Sequence, residues 1–165
     1  MTRILLEARL TFACTIATVV LSIQAAPAAR ADDVAAYCPA LARVAGLVHT
    51  KDRFASIIGK PREGNFLETT LPLPGWADCS FYGARTYACD SHPFATADDA
   101  ERAFARTLGE VKSCLRDSWA EDQSRGSHGY AVVHDDRQFA SITINTDKTE
   151  ENEDVVRLIL FLRSR

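Results

Sequence analysis

The chain has 165 residues, and its 19 Lys and Arg against 22 Asp and Glu give a net charge of −3. An acidic chain without a run of basic residues lacks the electrostatic footprint of nucleic-acid binding, and it does not suit an anionic membrane surface. If charge selects a partner, that partner is expected to be basic.

The N-terminal segment has the pattern of a secretory signal peptide. "MTRILLEAR" is a short basic head, "LTFACTIATVVLSI" carries no charge, and "QAAPAARA" supplies small residues and ends in Ala29-Arg30-Ala31. A basic head, an apolar run and an A-x-A end predict cleavage after Ala31, with Ala28 as the second choice.

The expected organisation is a cleaved signal peptide over residues 1–31 and a single α+β domain over residues 32–165. Such a leader directs the domain to the periplasm or out of the cell, with no membrane insertion after cleavage. An uncleaved membrane anchor is the alternative, because residues 10–29 carry no charge and a spanning helix needs about 20 mainly apolar residues.

The cysteines of the expected domain are Cys38, Cys79, Cys89 and Cys114. An even number of cysteines in an exported domain predicts two disulfide bonds, and four cysteines allow three pairings. Zinc sites use close pairs such as C-x-x-C, whereas these cysteines are at least ten positions apart. We therefore expect disulfide bonds rather than a metal site.

The predicted elements begin with two helices. In "YCPALARVAGLVH", Pro39 suits the first turn of a helix, where its missing N–H costs nothing. The apolar face of this helix comprises Leu41, Val44, Ala45 and Val48. "KDRFASIIGKP" predicts a second, short helix that ends at Gly59 and Pro61. "REGNFLETTLPLPG" is expected to connect it to a β-hairpin in "WADCSFYGARTYACDSH".

The third predicted helix has the clearest pattern in the chain. "TADDAERAFARTLGEVKSCL" begins with Thr96 and has Asp99 three residues later, which is a capping-box pattern. Its apolar stripe comprises Ala100, Phe104, Leu108, Val111 and Leu115.

Three further strands are predicted after this helix. The polar loop "AEDQSRGSHG" precedes a second hairpin, formed by "YAVVH" and by "QFASITIN" with its alternating residues. After the acidic loop "TDKTEENED", "VVRLILFLR" predicts a final strand rather than a helix, because of its β-branched and aromatic content and its length of nine residues. Strands that follow one another in hairpins predict an α+β fold, with an antiparallel sheet of about five strands and helices packed on one face.

The register of the first hairpin indicates how its cysteines pair. With a three-residue loop over Gly83-Ala84-Arg85, Cys79 lies opposite Cys89 and Phe81 lies opposite Tyr87. Directly opposite residues have Cβ atoms about 4.5–5.5 Å apart, so a disulfide needs only a small adjustment. We therefore predict a bond between Cys79 and Cys89.

The second bond would then join Cys38 to Cys114 and tie the first helix to the third. Loop entropy gives this long ring about 4.5 kcal/mol of stabilisation and the hairpin ring about 2.8 kcal/mol. Bonds from Cys38 to Cys79 or to Cys89 are the alternatives. A redox role is not expected, because catalytic dithiols sit close together, usually as C-x-x-C at a helix start.

The remaining polar residues indicate no active site. The histidines are His49, His92, His128 and His134. "HDD" suggests a metal, but His128 and His134 fit no ligand spacing, and the acidic loop lacks the D-x-[DN]-x-[DN]-G frame of a calcium site. Ser91-His92 and "GSHG" place serine beside histidine in sequence, whereas catalytic triads are assembled in space. We therefore predict no catalytic residue, no cofactor-binding residue and no metal ligand.

Large aromatic residues are the candidates for a binding surface. Trp76 lies at the mouth of the first hairpin, and Trp119 follows the third helix. Together with Phe81 and Tyr87 they form the predicted surface, because aromatic rings with a polar edge suit partner contacts. The alternative is that the two tryptophans fill the ends of the core.

These features predict a small, exported, disulfide-stapled domain that binds an unknown protein or cell-envelope component, as secreted inhibitors and immunity proteins do. An enzyme is not expected, because no set of residues fills the roles of an active site. The alternative is a periplasmic hydrolase whose site cannot be recognised from the sequence. A pocket that gathers several His, Asp or Glu would favour the hydrolase, and an exposed apolar patch would favour the binding module.

Overall fold

A computed structural model of the protein describes residues 29–123, 126, 129–137 and 139–162, with side chains from residue 35 onward. Residues 1–28 of the predicted signal peptide lie outside this part of the chain. No helix within the described residues is long and apolar enough to cross a membrane.

The described residues form two α-helices and one antiparallel sheet. The helices are α1 (Ala29–Gly46) and α2 (Ala97–Leu115). The strands are β1 (Ile58–Pro61), β2 (Phe66–Thr69), β3 (Asp78–Tyr82), β4 (Thr86–Asp90), β5 (Trp119–Glu121), β6 (Tyr130–Asp135), β7 (Ala140–Lys148) and β8 (Asp154–Leu162). Their order across the sheet is β1-β2-β3-β4-β8-β7-β6-β5. The final strand, β8, therefore joins the two halves of the sheet.

The α+β class and the antiparallel sheet are confirmed, but the predicted number of strands is too low. The structure has eight strands in the described part of the chain. Of these, β1, β2 and β5 have only three or four residues each. Segments this short carry little alternation of polar and apolar residues, so periodicity cannot reveal them. β2 lies in the segment predicted as a connection, and β5 begins at Trp119.

The prediction of a second helix is wrong. Its segment forms a 3₁₀ turn, Arg53–Ser56, followed by strand β1. A helix this short cannot offset its nucleation cost, whereas β1 gains hydrogen bonds by pairing with β2. Gly59 permits this pairing, because a Cβ atom at this position would lie 2.9 Å from the Cβ atom of Glu68 on β2.

Helix α1 has the predicted apolar face but not the predicted start. The four apolar residues predicted from its spacing are buried: Leu41, Val44, Ala45 and Val48. Pro39 lies inside the helix rather than in its first turn, and it is exposed. Its nitrogen carries no hydrogen, so one intrahelical hydrogen bond is missing. Burial of Tyr37 and Leu41 on either side holds the helix across this gap.

Thr96 caps α2 as predicted. Its hydroxyl oxygen accepts a hydrogen bond from the Asp99 N–H at 3.1 Å, and its hydroxyl donates to the Asp99 carboxylate at 2.7 Å. The hydrogen bonds from Thr96 and Arg102 hold the pKa of Asp99 below its usual value. Four residues of the predicted stripe are buried and Leu108 is half-buried, so α2 packs against the sheet through this stripe.

The core lies between the helices and the inner face of the sheet. The hairpin register is as predicted, with Cys79 opposite Cys89 and Phe81 opposite Tyr87. The ring centroid of Phe81 lies 5.3 Å from those of Phe54 and Tyr87, and all three rings are fully buried. β3 and β4 therefore place Phe81 and Tyr87 beside the 3₁₀ turn that carries Phe54.

Both predicted disulfide bonds are present. Cys38 on α1 is bonded to Cys114 near the end of α2, with Cα atoms 5.0 Å apart. Cys79 is bonded to Cys89 across the hairpin, with Cα atoms 4.1 Å apart. The first bond ties the two helices together, and the second reinforces strands that are already paired.

Removing the two bonds separately is expected to cost different amounts of stability. Their sequence separations are 76 and 10. Replacing Cys38 and Cys114 by Ala should lower the free energy of unfolding by about 4.5 kcal/mol, against about 2.8 kcal/mol for Cys79 and Cys89, because the longer ring restricts the unfolded chain more. Urea unfolding of the two double variants measures both losses. A larger loss for the hairpin bond would contradict this ranking.

Two buried tyrosines differ in their hydrogen bonding. The Tyr87 hydroxyl donates to the backbone carbonyl of Leu71 at 2.9 Å. The Tyr37 hydroxyl is also buried, but it has no hydrogen-bond partner within the described residues. Burial raises the pKa of both phenols above its usual value.

The two tyrosines are expected to respond oppositely to replacement by Phe. Tyr37→Phe should leave the free energy of unfolding unchanged or raise it by up to about 1 kcal/mol, because it removes an unpaired buried group, and Tyr87→Phe should lower it by about 1 kcal/mol. Urea unfolding at neutral pH measures both. A greater loss in Tyr37→Phe than in Tyr87→Phe would contradict the hydrogen bonding described above.

Tyr37 and Tyr87 should also make stability fall at alkaline pH. Because their pKa values are raised in the folded protein, their contribution is complete below about pH 10, where tyrosine of the unfolded chain ionises, and it is lost as the pH rises further. Urea unfolding across this range should show a shallower decline for Tyr37→Phe than for the unaltered protein. An identical decline would show that Tyr37 does not contribute.

Candidate functional site

The residues predicted as a binding surface face the core. Phe81 and Tyr87 are 0% exposed and Trp119 is 7% exposed. Trp76 is half-buried and packs against the same core. Phe81 and Tyr87 point inward because side chains alternate between the faces of a sheet, and these two share the cysteine face. The structure therefore gathers these rings in and around the core and offers little of them to a partner.

The opposite face of the sheet, here called the open face, is not the one on which the helices pack. Cross-strand register aligns its residues in three rows that run across the strands. The aromatic row comprises Phe66, Tyr82, Thr86 and Phe161. The floor row comprises Ser80, Ala88 and Ile159. The ionic row comprises Asp78, Asp90 and Arg157.

The aromatic row exposes three large rings to solvent. Phe66 is 46% exposed, Tyr82 55% and Phe161 44%. The ring centroids of Phe66 and Tyr82 lie 5.6 Å apart, so the two rings form one ridge. A cluster of exposed aromatic residues with a polar border is typical of an interaction surface.

A groove of about 580 Å³ lies beside the aromatic row. Ser80 and Ala88 have short side chains and form its floor, together with Ile159. Phe66 and Tyr82 form one wall, and the ionic row forms the other. Its volume falls in the range of about 300–1,000 Å³ that is typical of binding sites. The groove therefore has one apolar wall and one charged wall.

Asp78 and Asp90 lie directly opposite each other in the ionic row. Like charges in this position repel, and two arginines offset the repulsion. Arg62 Nη1 donates to both oxygens of Asp78 at 3.0 Å, and Arg157 donates to Asp90 through Nε at 2.6 Å and Nη2 at 3.0 Å. The hydrogen bond to Asp90 holds the pKa of Arg157 above its usual value. Arg157 also contacts Asp147, so three carboxylates share two guanidinium groups.

A second cleft, of about 470 Å³, lies on the helical side of the molecule and is lined in part by His49, Ser118 and Arg137. His49 Nε2 lies 3.8 Å from Oδ2 of Asp135, whose side chain is fully buried. Asp135 Oδ1 accepts a hydrogen bond from the Ala140 N–H at 2.8 Å. Oδ2 has no hydrogen-bond partner among the described residues. Asp135 therefore closes the turn between β6 and β7, with His49 beside its second oxygen.

The pairing of His49 with Asp135 has part of the geometry of an acid–base site. A catalytic histidine needs a nucleophile within reach, at about 2.6–3.2 Å. Ser118 lines the same cleft, but its hydroxyl donates to the backbone carbonyl of Leu115 at 2.8 Å. The His49–Asp135 distance of 3.8 Å also exceeds that of a hydrogen bond. The arrangement is therefore not an assembled catalytic triad.

The other serine and histidine candidates that the structure describes are not among the residues that line this cleft. The Ser91 hydroxyl accepts a hydrogen bond from the Val156 N–H and donates to the His92 carbonyl, so it ties a loop to β8. Nδ1 of His134 is buried without a hydrogen-bond partner in the described part of the chain. His128 lies outside the described residues. The residues that the structure describes include no group of three or more His, Cys, Asp or Glu able to hold a metal ion.

Comparisons of the chain with protein-family models, curated proteins and solved structures found no match. The functional conclusion therefore depends on the geometry of the open face and of the helical cleft. These two features differ in chemistry, because the first combines exposed rings with charges and the second places a histidine beside a buried carboxylate.

The residues of the open face were not among those predicted from the sequence, although strand alternation indicates them. Once Cys79 and Cys89 face the core, the alternate residues must face outward: Ser80, Tyr82, Thr86 and Ala88. In β8, Arg157 similarly marks the outward side. The pairing of Arg157 with Asp90 has no local signal, because the two residues are 67 positions apart and meet only through the strand order.

Asp135 is expected to stabilise the fold. Asp135→Ala should lower the free energy of unfolding by about 1–3 kcal/mol, because the Ala140 N–H would lose its acceptor inside the protein. Asp135→Asn retains an oxygen acceptor and should cost less. Asp136→Ala, at the exposed neighbouring position, is the control and should stay within about 0.5 kcal/mol of the unaltered protein. Urea unfolding measures all three, and equal losses at both positions would contradict this role.

Proposed function

We propose that the protein is a non-enzymatic binding module that takes up a segment of a partner protein on the open face of its sheet. The exposed aromatic row beside the groove carries this proposal. The sequence predicts a module of this kind around Trp76, Phe81, Tyr87 and Trp119. The geometry favours a different set on the other face, with Phe66, Tyr82 and Phe161 as anchors.

The open face combines the two contributions that a specific interface needs. Aromatic residues dominate the centres of interfaces, because they bury a large area with few rotatable bonds. Charged residues at the border steer the approach of a partner and fix its orientation. The aromatic row supplies the first contribution, and the ionic row supplies the second.

The edges of the sheet are less suited to binding a partner strand. β1 and β5 form the two edges, and they have four and three residues. Short edge strands offer few backbone hydrogen bonds, and Pro61 at the end of β1 removes one more donor. Recognition by added strands is therefore disfavoured relative to recognition on the face.

A periplasmic hydrolase is the second candidate function. The observation that favours it is His49 beside the buried Asp135 at the helical cleft. The two candidates use different residues, so variants separate them. His49→Gln should abolish turnover if the protein is a hydrolase, and it should leave partner binding unchanged if the protein is a binding module.

We propose that the protein acts in the periplasm or after secretion. Its two disulfide bonds support this location, because such bonds persist in oxidising compartments. The signal-peptide pattern of residues 1–31 supports the same location.

Photo-cross-linking tests the proposed function. p-Benzoylphenylalanine replaces Tyr82 or Phe161 on the open face, and it replaces Arg106 on the exposed side of α2 as a control. In cells that produce the protein, irradiation should give the same cross-linked partner from both open-face positions and none from Arg106. Absence of an adduct at the open face, or equal yields at Arg106, would contradict the proposal.

A second variant, Tyr82→Ser, tests whether Tyr82 anchors the partner without unfolding the protein. With the probe at Phe161, Tyr82→Ser should reduce the cross-link at least about tenfold, as expected for loss of an interface anchor. Because Tyr82 is exposed but pairs with the Phe66 ring, this change should lower the free energy of unfolding by no more than about 1 kcal/mol. An unchanged cross-link would show that Tyr82 is not an anchor.

A further inference from the structure

We infer that the groove on the open face holds a lysine or arginine side chain of the partner protein, with its charged end between Asp78 and Asp90. This inference rests on the proposed function, because it names the chemistry that the open face recognises. The arrangement of charges and apolar groups around the groove carries it.

The two arginines of this region lie on the outer sides of the Asp78–Asp90 pair. In the strand order, Arg157 on β8 lies on the side of Asp90 that is away from Asp78. Arg62, which follows β1, lies on the side of Asp78 that is away from Asp90. The two carboxylates therefore face each other across neighbouring strands, with Cβ atoms about 4.5–5.5 Å apart. A cation placed between them would be attracted by both.

Both carboxylates can accept further hydrogen bonds. A carboxylate has about four acceptor positions, whereas Asp78 is bonded to one Arg62 nitrogen and Asp90 to two Arg157 nitrogens. The Asp78 side chain is 56% exposed and that of Asp90 35% exposed, so a group arriving from solvent reaches both. Because the Arg62–Asp78 pair is exposed, it contributes little to stability, and Asp78 can share its charge at small cost.

The rest of the groove suits the aliphatic part of a lysine or arginine side chain. Ala88 and Ile159 line its floor, and the Tyr82 ring stands at its side. Lys and Arg pack their methylene groups along apolar surfaces while the charged end stays with polar groups. An aromatic face also attracts cations. The groove therefore complements both halves of such a side chain.

A divalent metal ion fits this place less well. Calcium takes about six to eight oxygen ligands. The described residues include no group of three or more His, Cys, Asp or Glu positioned to hold a metal. The net negative charge of the chain also favours a basic partner.

A displayed library of short random peptides, selected on the full chain, tests this inference. The enriched peptides should carry a Lys or Arg, and replacing it by norleucine or citrulline should weaken binding at least about tenfold. These replacements remove the charge and leave the protein unaltered, so they remain informative even if a protein variant unfolds.

Protein variants provide the matching half of the test. The double variant Asp78→Asn, Asp90→Asn should weaken peptide binding at least about tenfold, and higher salt should weaken binding to the unaltered protein. The control Glu150→Gln, Glu151→Gln removes the same charge from an exposed turn after β7, and it should change affinity less than about twofold.

The outcomes separate this inference from the proposed function. Binding that depends on Tyr82 but not on the peptide's cation or on the two aspartates would overturn the inference and leave the proposed function standing. Binding that is insensitive to Tyr82→Ser, or a library without binders, would contradict both. Calcium binding that disappears in the double aspartate variant would also overturn the inference in favour of a metal site.

Discussion

The register of the β3–β4 hairpin is the constraint on which both faces of this protein depend. Because Cys79 lies opposite Cys89, the cysteine face also carries Phe81 and Tyr87, and the residues between them must point the other way. A shift of one residue would exchange the two sets. β2 and β8 pair on either side of the hairpin, so the same division of inside and outside extends across the sheet.

The helical layer follows from this division. Residues on the same inner side of β7 and β8 give α2 an apolar surface on which to pack, and the Cys38–Cys114 bond holds α1 to α2. Asp135 closes the β6–β7 turn at the far end of the same layer. With one face of the sheet covered in this way, the other keeps exposed rings beside a row of paired charges, which is the arrangement that supports a binding function.

Long periodic patterns, and contacts between residues that are close in the chain, could be predicted from the sequence. The capped stripe of α2, the alternation in β7 and the register between Cys79 and Cys89 each depend on residues that are close in the chain. The short edge strands could not be predicted, because three or four residues carry no distinct period. The predicted binding surface was chosen by residue type, which placed Phe81 and Tyr87 on it. These two residues face inward because strand alternation, rather than aromatic character, decides which side chains are exposed. The Asp90–Arg157 pair depends on the strand order and had no local signal.

The four tyrosines of the chain give the most direct test of this assignment of faces. Tyr82 and Tyr130 are exposed on the open face, whereas Tyr37 and Tyr87 are buried in the core. Brief nitration of the native protein, followed by peptide mass spectrometry, should modify Tyr82 and Tyr130 and should spare Tyr37 and Tyr87 until the protein is unfolded. Nitration of Tyr87 with protection of Tyr82 in the native protein would contradict the register and, with it, the proposed binding face.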